Sequence, residues 1–442
     1  MADQEHRAAG AVPGETRLRR LRIGLGSGFR ALHVRNFRLF FVSQLISLVG
    51  TWMQTTAQAW LVWKLTNSAF QLGLVTTLQF LPVMLFALYG GVLADRLPKR
   101  QTIVVTQSIA MVQAFVFGIL IATEAIQIWH VYILAIVTGL VNSVDNPMRQ
   151  AFIVEMVGRE DLVNAVALNS MIFNGARILG PSIAGAIIAA FENSPADSTG
   201  PHGVMIVVWL NAISFLPVIT VLLRMDPARL FSANRPVEGP VFQRLKEGLS
   251  YALRTPNLLV IFITVAALGT FGYNFNVTLP LIAEKVLRTD AAGLGALYSF
   301  FGVGSLIGAL TTAYTRHVTM RRLLVGGLLF SIMLAILLLS TLLPLSLALI
   351  ALVGFFGILF TTSANTLLQL SVPDAMRGRV MSLNVLLFVG STPIGGFLTG
   401  FLADRLSVPI ALLICALLCL GGIVVASVYQ RTVSAKLIPL PR

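Results

Sequence analysis

The sequence predicts an all-α polytopic membrane protein, with twelve transmembrane helices in two pseudo-symmetric six-helix bundles. Three observations predict it. A chain of 442 residues that is 56% hydrophobic and only 11% charged cannot hide its apolar surface in one soluble core. Apolar windows of about 20 residues, the length that crosses roughly 30 Å of hydrocarbon as a helix, recur along it. They begin near Leu39, Leu72, Thr102, Trp129, Ala165, Val204, Leu258, Leu294, Leu323, Leu345, Val380 and Val408. The second half also echoes the first. NAVALNSMIFNGARILGPSIAG from Asn164 aligns with RVMSLNVLLFVGSTPIGGFLTG from Arg379 at a constant offset of 215, matching Asn169 to Asn384, Phe173 to Phe388, Gly175 to Gly390, Gly180 to Gly395 and Gly185 to Gly400.

The formal net charge of +14 is explained by where the charges lie, and nucleic acid is not an expected partner. With the first 38 residues inside, 27 of the 32 Lys and Arg fall on cytoplasmic segments and four on outer ones, Lys64, Lys285, Arg288 and Arg405. That asymmetry is the positive-inside rule and puts both termini in the cytoplasm. Cys415 and Cys419 are one turn apart on the last helix, a poor geometry for a disulfide, and read as packing residues. His6, His33, His130, His202 and His317 form no ligand cluster, so no metal and no cofactor is expected. Arg19-Arg20 could open a twin-arginine signal, but a full span follows without a small-residue cleavage site, so the basic tail is retained.

In chain order, residues 1–35 are a basic tail expected to be largely disordered on the cytoplasmic side. Residues 36–225 hold the first bundle, 226–256 a linker, 257–430 the second bundle and 431–442 a second tail. In helix 1, Gln44, Ser47, Thr51, Gln54 and Gln58 recur at steps of three and four and share a face. Such a face lines a wet cavity or packs in a seam between helices; seams favour small residues and Gln is long, which points to the cavity. Gln54 and Gln58 are placed on a cavity wall, with Asn142 of helix 4 and Asn274 of helix 7.

Between helices 2 and 3, GGVLADRLPKR at 90–100 interrupts two apolar runs with glycine, a charged pair and proline. It reads as a tight cytoplasmic turn. On helix 4, Thr138, Asn142, Asp145 and Arg149 share a face, and Asp145 and Arg149 are spaced to pair. With Glu155 they form either a charge relay that senses the turn or a local ion pair anchoring the helix end. Helix 5 carries Arg177, the one charge deep within an apolar span. At about 1.5 Å per residue it lies roughly 20 Å into the core, where an arginine costs about 2.5–3.5 kcal/mol or more and must face the bundle interior. Its candidate partners are polar groups of helices 1 and 4 or an anionic ligand; the alternative is a structural arginine satisfied by carbonyls and amides. In the linker, Phe242, Leu245, Leu249 and Leu253 recur beside Arg244, Lys246 and Glu247, which predicts a short amphipathic helix on the membrane surface.

Several stretches resemble one family. The spacing Gly91-x-x-x-Asp95-Arg96-x-x-Lys99-Arg100 resembles the loop between helices 2 and 3 of the major facilitator superfamily, with Pro98 where that family has glycine. The resemblance implies a gating latch at Gly91, Asp95, Arg96, Lys99 and Arg100. NGARILGPSIAGA resembles the helix 5 motif of the superfamily's exporters, which implies a hinge at Gly180, Pro181 and Gly185; Ala176 and Ala184 stand where that motif has glycine. GTWMQTTAQAWLVWKLTNSAF, DNPMRQAF and VPDAMRGRVMSLN look like the bacterial branch that includes the enterobactin exporter and related secretion effectors. That branch implies secondary active export of a small organic molecule, a drug, siderophore or metabolite, across the bacterial cytoplasmic membrane. The expected mechanism is alternating access with proton antiport, by a monomer in the lipid bilayer. No G-x-x-x-x-G-K-[ST] loop is present to use ATP, and no nucleophile, base and orienting group sit together at membrane depth as an enzyme needs. Two other readings stay open, an importer of an organic anion drawn by Arg177 and a transporter-shaped receptor without flux.

Overall fold

The computed structural model describes residues 29–192, 201–231, 241–314 and 318–437, so most of the basic tail and all of 193–200 lie outside the described residues. The N-terminal half is α1 (Arg35–Thr66), α2 (Ala69–Arg96), α3 (Lys99–Ala122), α4 (Ile128–Val157), α5 (Leu162–Glu192) and α6 (His202–Arg224). The linker helix is α7 (Val241–Arg254). In the C-terminal half the seventh span is broken into α8 (Pro256–Phe271) and α9 (Phe275–Leu281), followed by α10 (Ala291–Tyr314), α11 (Met320–Leu337) and α12 (Leu343–Ser371). The eleventh span is also broken, into α13 (Asp374–Val389) and α14 (Thr392–Arg405), and α15 (Val408–Leu437) is the twelfth.

Among the described residues ten spans are long and apolar enough to cross a membrane, with α13 and α14 counted together over Met376–Arg405. The other two of the twelve spans have local reasons to read weakly. The 32 residues of α1 carry the buried polar side chains Gln44, Ser47, Gln54 and Gln58, and the seventh span is interrupted at Gly272-Tyr273-Asn274. Turns between neighbouring helices are short. Asn67, in the left-handed region at φ 45°, stops α1, and the Ser68 hydroxyl caps α2 by accepting from the Gln71 N–H. At the other end, Leu97 and Pro98 alone separate α2 from α3.

Each half is a bundle. In the first, α1 packs on α5 and α6, α2 on α4, and α3 on α4 and α6; in the second, α10 and α11 pack on α12, and α8 and α11 on α15. The halves meet chiefly along two seams, α5 with α10 and α2 with α14. The seams are the same seam twice. Ala69 and Gly73 of α2 correspond to Ala291 and Gly295 of α10, 222 residues on, while Pro181 and Gly185 of α5 correspond to Gly396 and Gly400 of α14, 215 residues on. A Cβ on Gly185 would meet the Ala291 carbonyl oxygen at 2.5 Å, and one on Gly400 would meet that of Ala69 at 2.6 Å. Only glycine lets these backbones approach so closely. The hydrogen bonds repeat too: the Ser299 hydroxyl sits 2.9 Å from the Ile178 carbonyl and the Thr77 hydroxyl 2.9 Å from that of Pro393, again residues related by 222 and 215.

Both seams lie toward the end that carries Lys64, Lys285 and Arg405. Toward the opposite, basic end the halves diverge. The face of α5 that is sealed at Gly185 and Pro181 continues into exposed Ser170 and partly open Asn174, whose side chains turn back onto their own helix at Val166 O and Ser170 O. A side chain added at Gly175 would meet nothing within 4 Å.

The tail expectation needs correcting at its last residues. Arg30–His33 form a 3₁₀ turn, Ala31 is fully buried, its N–H donates to Asn164 Oδ1 at 2.9 Å, and Arg30 pairs with Asp161 at 2.9 Å. This short turn seats Ala31 against the end of the first bundle, which composition did not reveal. The linker carries the helix α7, which turns by 111° into α8. Glu247 pairs with Arg379 at 2.7 Å, pinning α7 to α13, while Leu249 and Leu253 stay exposed. Cys415 and Cys419 are buried, free thiols.

Candidate functional site

The two broken spans meet between the halves. There the wall of a cavity of about 200 Å³ includes Tyr273, Asn274, Phe275 and Asn276 from the break in span 7, and Phe388, Val389 and Thr392 from the break in span 11. The first half contributes Trp52, Thr76, Phe80 and Arg177, and α10 adds Tyr298. Backbone freed by a helix break is tolerated at membrane depth only where protein or water satisfies it. Asn274 does so by donating to the Thr270 carbonyl at 2.6 Å, and the Tyr298 hydroxyl donates to the Phe275 carbonyl at 3.3 Å. Tyr273 stacks on Phe330 with ring centroids 5.1 Å apart and meets Phe388 edge-on at 4.8 Å, which fixes the aromatic wall.

Among the described residues of this wall Arg177 is the single charged one. Its guanidinium lies 4.3 Å from the centroid of Phe301 and 5.6 Å from that of Trp52, cation–π contacts of the kind that offset part of a buried charge's desolvation. No carboxylate among the described residues pairs with it, and no polar group of helices 1 or 4 takes the partner role expected for it. Among the described residues no hydrogen-bond acceptor takes its N–H donors.

Of the other residues placed on the cavity, Asn274 is on the wall and buried, with its Oδ1 unpaired. Gln54 and Gln58 are not on it. Gln54 donates to Gln113 Oε1 at 3.3 Å and accepts from Asn211 Nδ2 at 2.6 Å, in a seam of α1, α3 and α6. Gln58 donates to Gln79 Oε1 at 3.3 Å in a seam with α2. Long amides fit a seam here because each meets another long amide, and hydrogen bonding between helices replaces small-residue packing. Asn142 is half-buried on α4 and is likewise not on the wall. Gln54→Ala is therefore expected to cost about 1–3 kcal/mol by stranding the Asn211 donor. Thermal unfolding of the purified protein should show the loss, with the order of preferred substrates unchanged.

Asp145 and Arg149 do pair, at 2.5 Å, and Asp145 also accepts from Thr106 at 2.5 Å and Gln107 at 3.2 Å. The cluster is buried inside the first bundle. Glu155 does not join it and instead pairs with Lys99 at 2.8 Å, both side chains largely buried. Arg100 donates to the Met225 carbonyl at 2.7 Å, and Arg96 is exposed. The surroundings of Gly91 and the side chain of Asp95 lie outside what is described. The helix 5 motif is split between two partners: Gly180 packs on Trp52 and Val49 of α1, while Pro181 and Gly185 pack on α10.

Sequence reasoning missed the aromatic wall and the Lys99–Glu155 pair. The wall had a signal, since Gly272-Tyr273-Asn274 and Gly390-Ser391-Thr392-Pro393 interrupt apolar runs as helix breaks do. The pair had none, its members being 56 residues apart.

Solved structures with this architecture include a bacterial homolog of the human lysosomal transporter Spinster, inward-facing and unoccupied, with TM-score 0.70 at 12% identity over 90% of this chain and 97% of that one. A bacterial homologue of the iron transporter ferroportin, inward-facing, has TM-score 0.63 at 18% identity over 90% of this chain and 98% of that one. Among curated sequences, the staphyloferrin A transporter of Staphylococcus aureus is 26% identical, over 83% of this chain and 89% of its own. The multidrug efflux pump Tap of Mycolicibacterium fortuitum is 26% identical over 83% and 88%. The enterobactin exporter EntS of Escherichia coli O1:K1 is 26% identical over 85% and 86%. The family model for transmembrane secretion effectors matches residues 26–440. A twelve-span chain of two repeated bundles, with a cavity at their junction and a match to that model over nearly its whole length, belongs to the transmembrane secretion effector family of major facilitator transporters.

Proposed function

We propose that this protein is a secondary active exporter that moves a small organic molecule, a drug, siderophore or metabolite, out across the cytoplasmic membrane. It works as a monomer in the bilayer by alternating access, exchanging protons for substrate. The observation that carries this is the cavity at the junction of the halves, sealed by two glycine seams at one end and open at the other. With the basic end inside by the positive-inside rule, the open end loads from the cytoplasm. Parting the seams while the basic ends close would present the same cavity outside. Export by the relatives supports the direction, and the absence of a nucleotide loop supports ion coupling.

Everted membrane vesicles test the whole reading. Energised vesicles should accumulate a substrate that the deletion strain fails to secrete, and a protonophore should abolish the uptake. Accumulation in right-side-out vesicles instead would favour import of an organic anion, and binding without accumulation would favour a receptor. Orientation has its own check. Arg96 is exposed at the end of α2, so a cysteine there should react with an impermeant maleimide in everted vesicles and not in intact cells; the reverse pattern would turn the topology over.

A further inference from the structure

The cavity wall is arranged on the same internal two-fold as the seams. Trp52 and Asn274 are 222 residues apart, as are Thr76 and Tyr298, and Arg177 and Thr392 are 215 apart; all six face the one cavity. Each pair presents equivalent backbone positions from opposite halves, so the pseudo-axis passes through the cavity. The chemistry of the two sides is unequal. The first half brings a guanidinium with unspent donors; the second brings a hydroxyl at the first residue of α14.

Resting on the export reading for its biological setting, we propose that the cavity selects aromatic organic anions, molecules carrying a carboxylate or phenolate on a ring. The anionic group binds Arg177 on the N-terminal half and the ring lies against the aromatic wall. A cation would meet the guanidinium with no acidic residue on the wall to hold it. A neutral ring would leave the guanidinium without an anionic partner, and an aliphatic anion would forgo aromatic contact with the wall of Trp52, Phe275 and Phe388. Only a ligand with both features satisfies both halves of the wall. The planar guanidinium suits a planar carboxylate, which it can bind through two parallel hydrogen bonds. Because the charge belongs to one member of a symmetry-related pair, it also sets which way round the ligand lies.

The test is binding to the purified full-length protein, read by quenching of tryptophan fluorescence and by calorimetry. Three probes of one shape are compared: 2-naphthoate, its neutral amide 2-naphthamide, and saturated decalin-2-carboxylate. The wild type should bind naphthoate at least tenfold more tightly than either of the others. Arg177→Thr should lose at least tenfold for naphthoate while still binding naphthamide, which shows that the variant is folded. The exchange variant Arg177→Thr with Thr392→Arg, which moves the charge to its pseudo-symmetric position, should recover naphthoate affinity to within about threefold of wild type, since a restored ion pair of this kind accounts for the lost factor. Equal binding of naphthoate and naphthamide by the wild type, or undiminished naphthoate binding by Arg177→Thr, overturns the anion selectivity. Equal binding of decalin carboxylate overturns the aromatic part, and no recovery in the exchange variant overturns the two-fold placement. Binding in detergent does not depend on direction or coupling, so a failure of the vesicle experiment with these selectivities intact would count against export alone.

Discussion

Arg177→Gln should lower transport at least tenfold in everted vesicles at equal expression, with the protein still inserted and monodisperse. Glutamine keeps much of the length and some hydrogen bonding, so what it removes is the charge. The wild-type protein bears the insertion cost of that charge, about 2.5–3.5 kcal/mol or more, without a carboxylate partner among the described residues and with the rings of Phe301 and Trp52 beside it. A purely structural arginine would be expected to spend its donors on protein acceptors. Arg177→Lys keeps the charge but replaces a planar fork with a compact ammonium, and should retain a measurable part of the activity. Arg177→Gln should be as stable as the wild type or more so, because removing a desolvated cation relieves a penalty, whereas the more strongly hydrated ammonium of Arg177→Lys relieves none. Full transport of the same substrates by a folded Arg177→Gln protein would leave packing as its role.

Gly185→Val and Gly400→Val should each lower transport by a similar factor, for a different reason. In both, the new Cβ meets a main-chain carbonyl oxygen, at 2.5 and 2.6 Å, and backbone cannot swing aside as a side chain can. Overpacking of this kind costs about 1–3 kcal/mol, and here the cost falls only on the state in which the seam is closed. A shift of that size changes the ratio of closed to open seams by roughly 5- to 150-fold. The protein should therefore accumulate with its outer end parted. A cysteine at the cavity residue Thr76 would report this by reacting with an impermeant reagent added outside; the native Cys415 and Cys419 are buried and should stay silent. Because the seams are equivalent under the internal two-fold, the two variants should show the same labelling pattern. Wild-type transport by either would mean that the seam does not close in the working cycle.

Much of the architecture was legible along the chain because bilayers impose one-dimensional rules. Span length, the sign of loop charge and the repeat at an offset of 215 are all visible without knowing which helices touch. Arg177 was legible for the same reason, as a charge in an apolar run stands out whatever surrounds it. The polar stripe of helix 1 was legible as a stripe, but the environment of a helix face depends on its neighbours. Gln54 and Gln58 proved to face Gln113, Asn211 and Gln79 within the first bundle, although their periodicity is the same as that of a cavity wall.

By itself, then, the sequence determined that the chain is a membrane protein of twelve spans in two repeated halves, and that one buried arginine needs an explanation. Only the tertiary structure decided what lies opposite that arginine. Contacts such as Lys99 with Glu155, Arg177 with Phe301, and Gly185 with Ala291 join residues far apart in the chain. The seam and the cavity arise from how two similar bundles pack on each other, and the hydrophobic rules that define each span are indifferent to that choice. Close glycine contacts and unpaired polar groups select it, and these act over a few ångströms in space, independent of distance along the sequence.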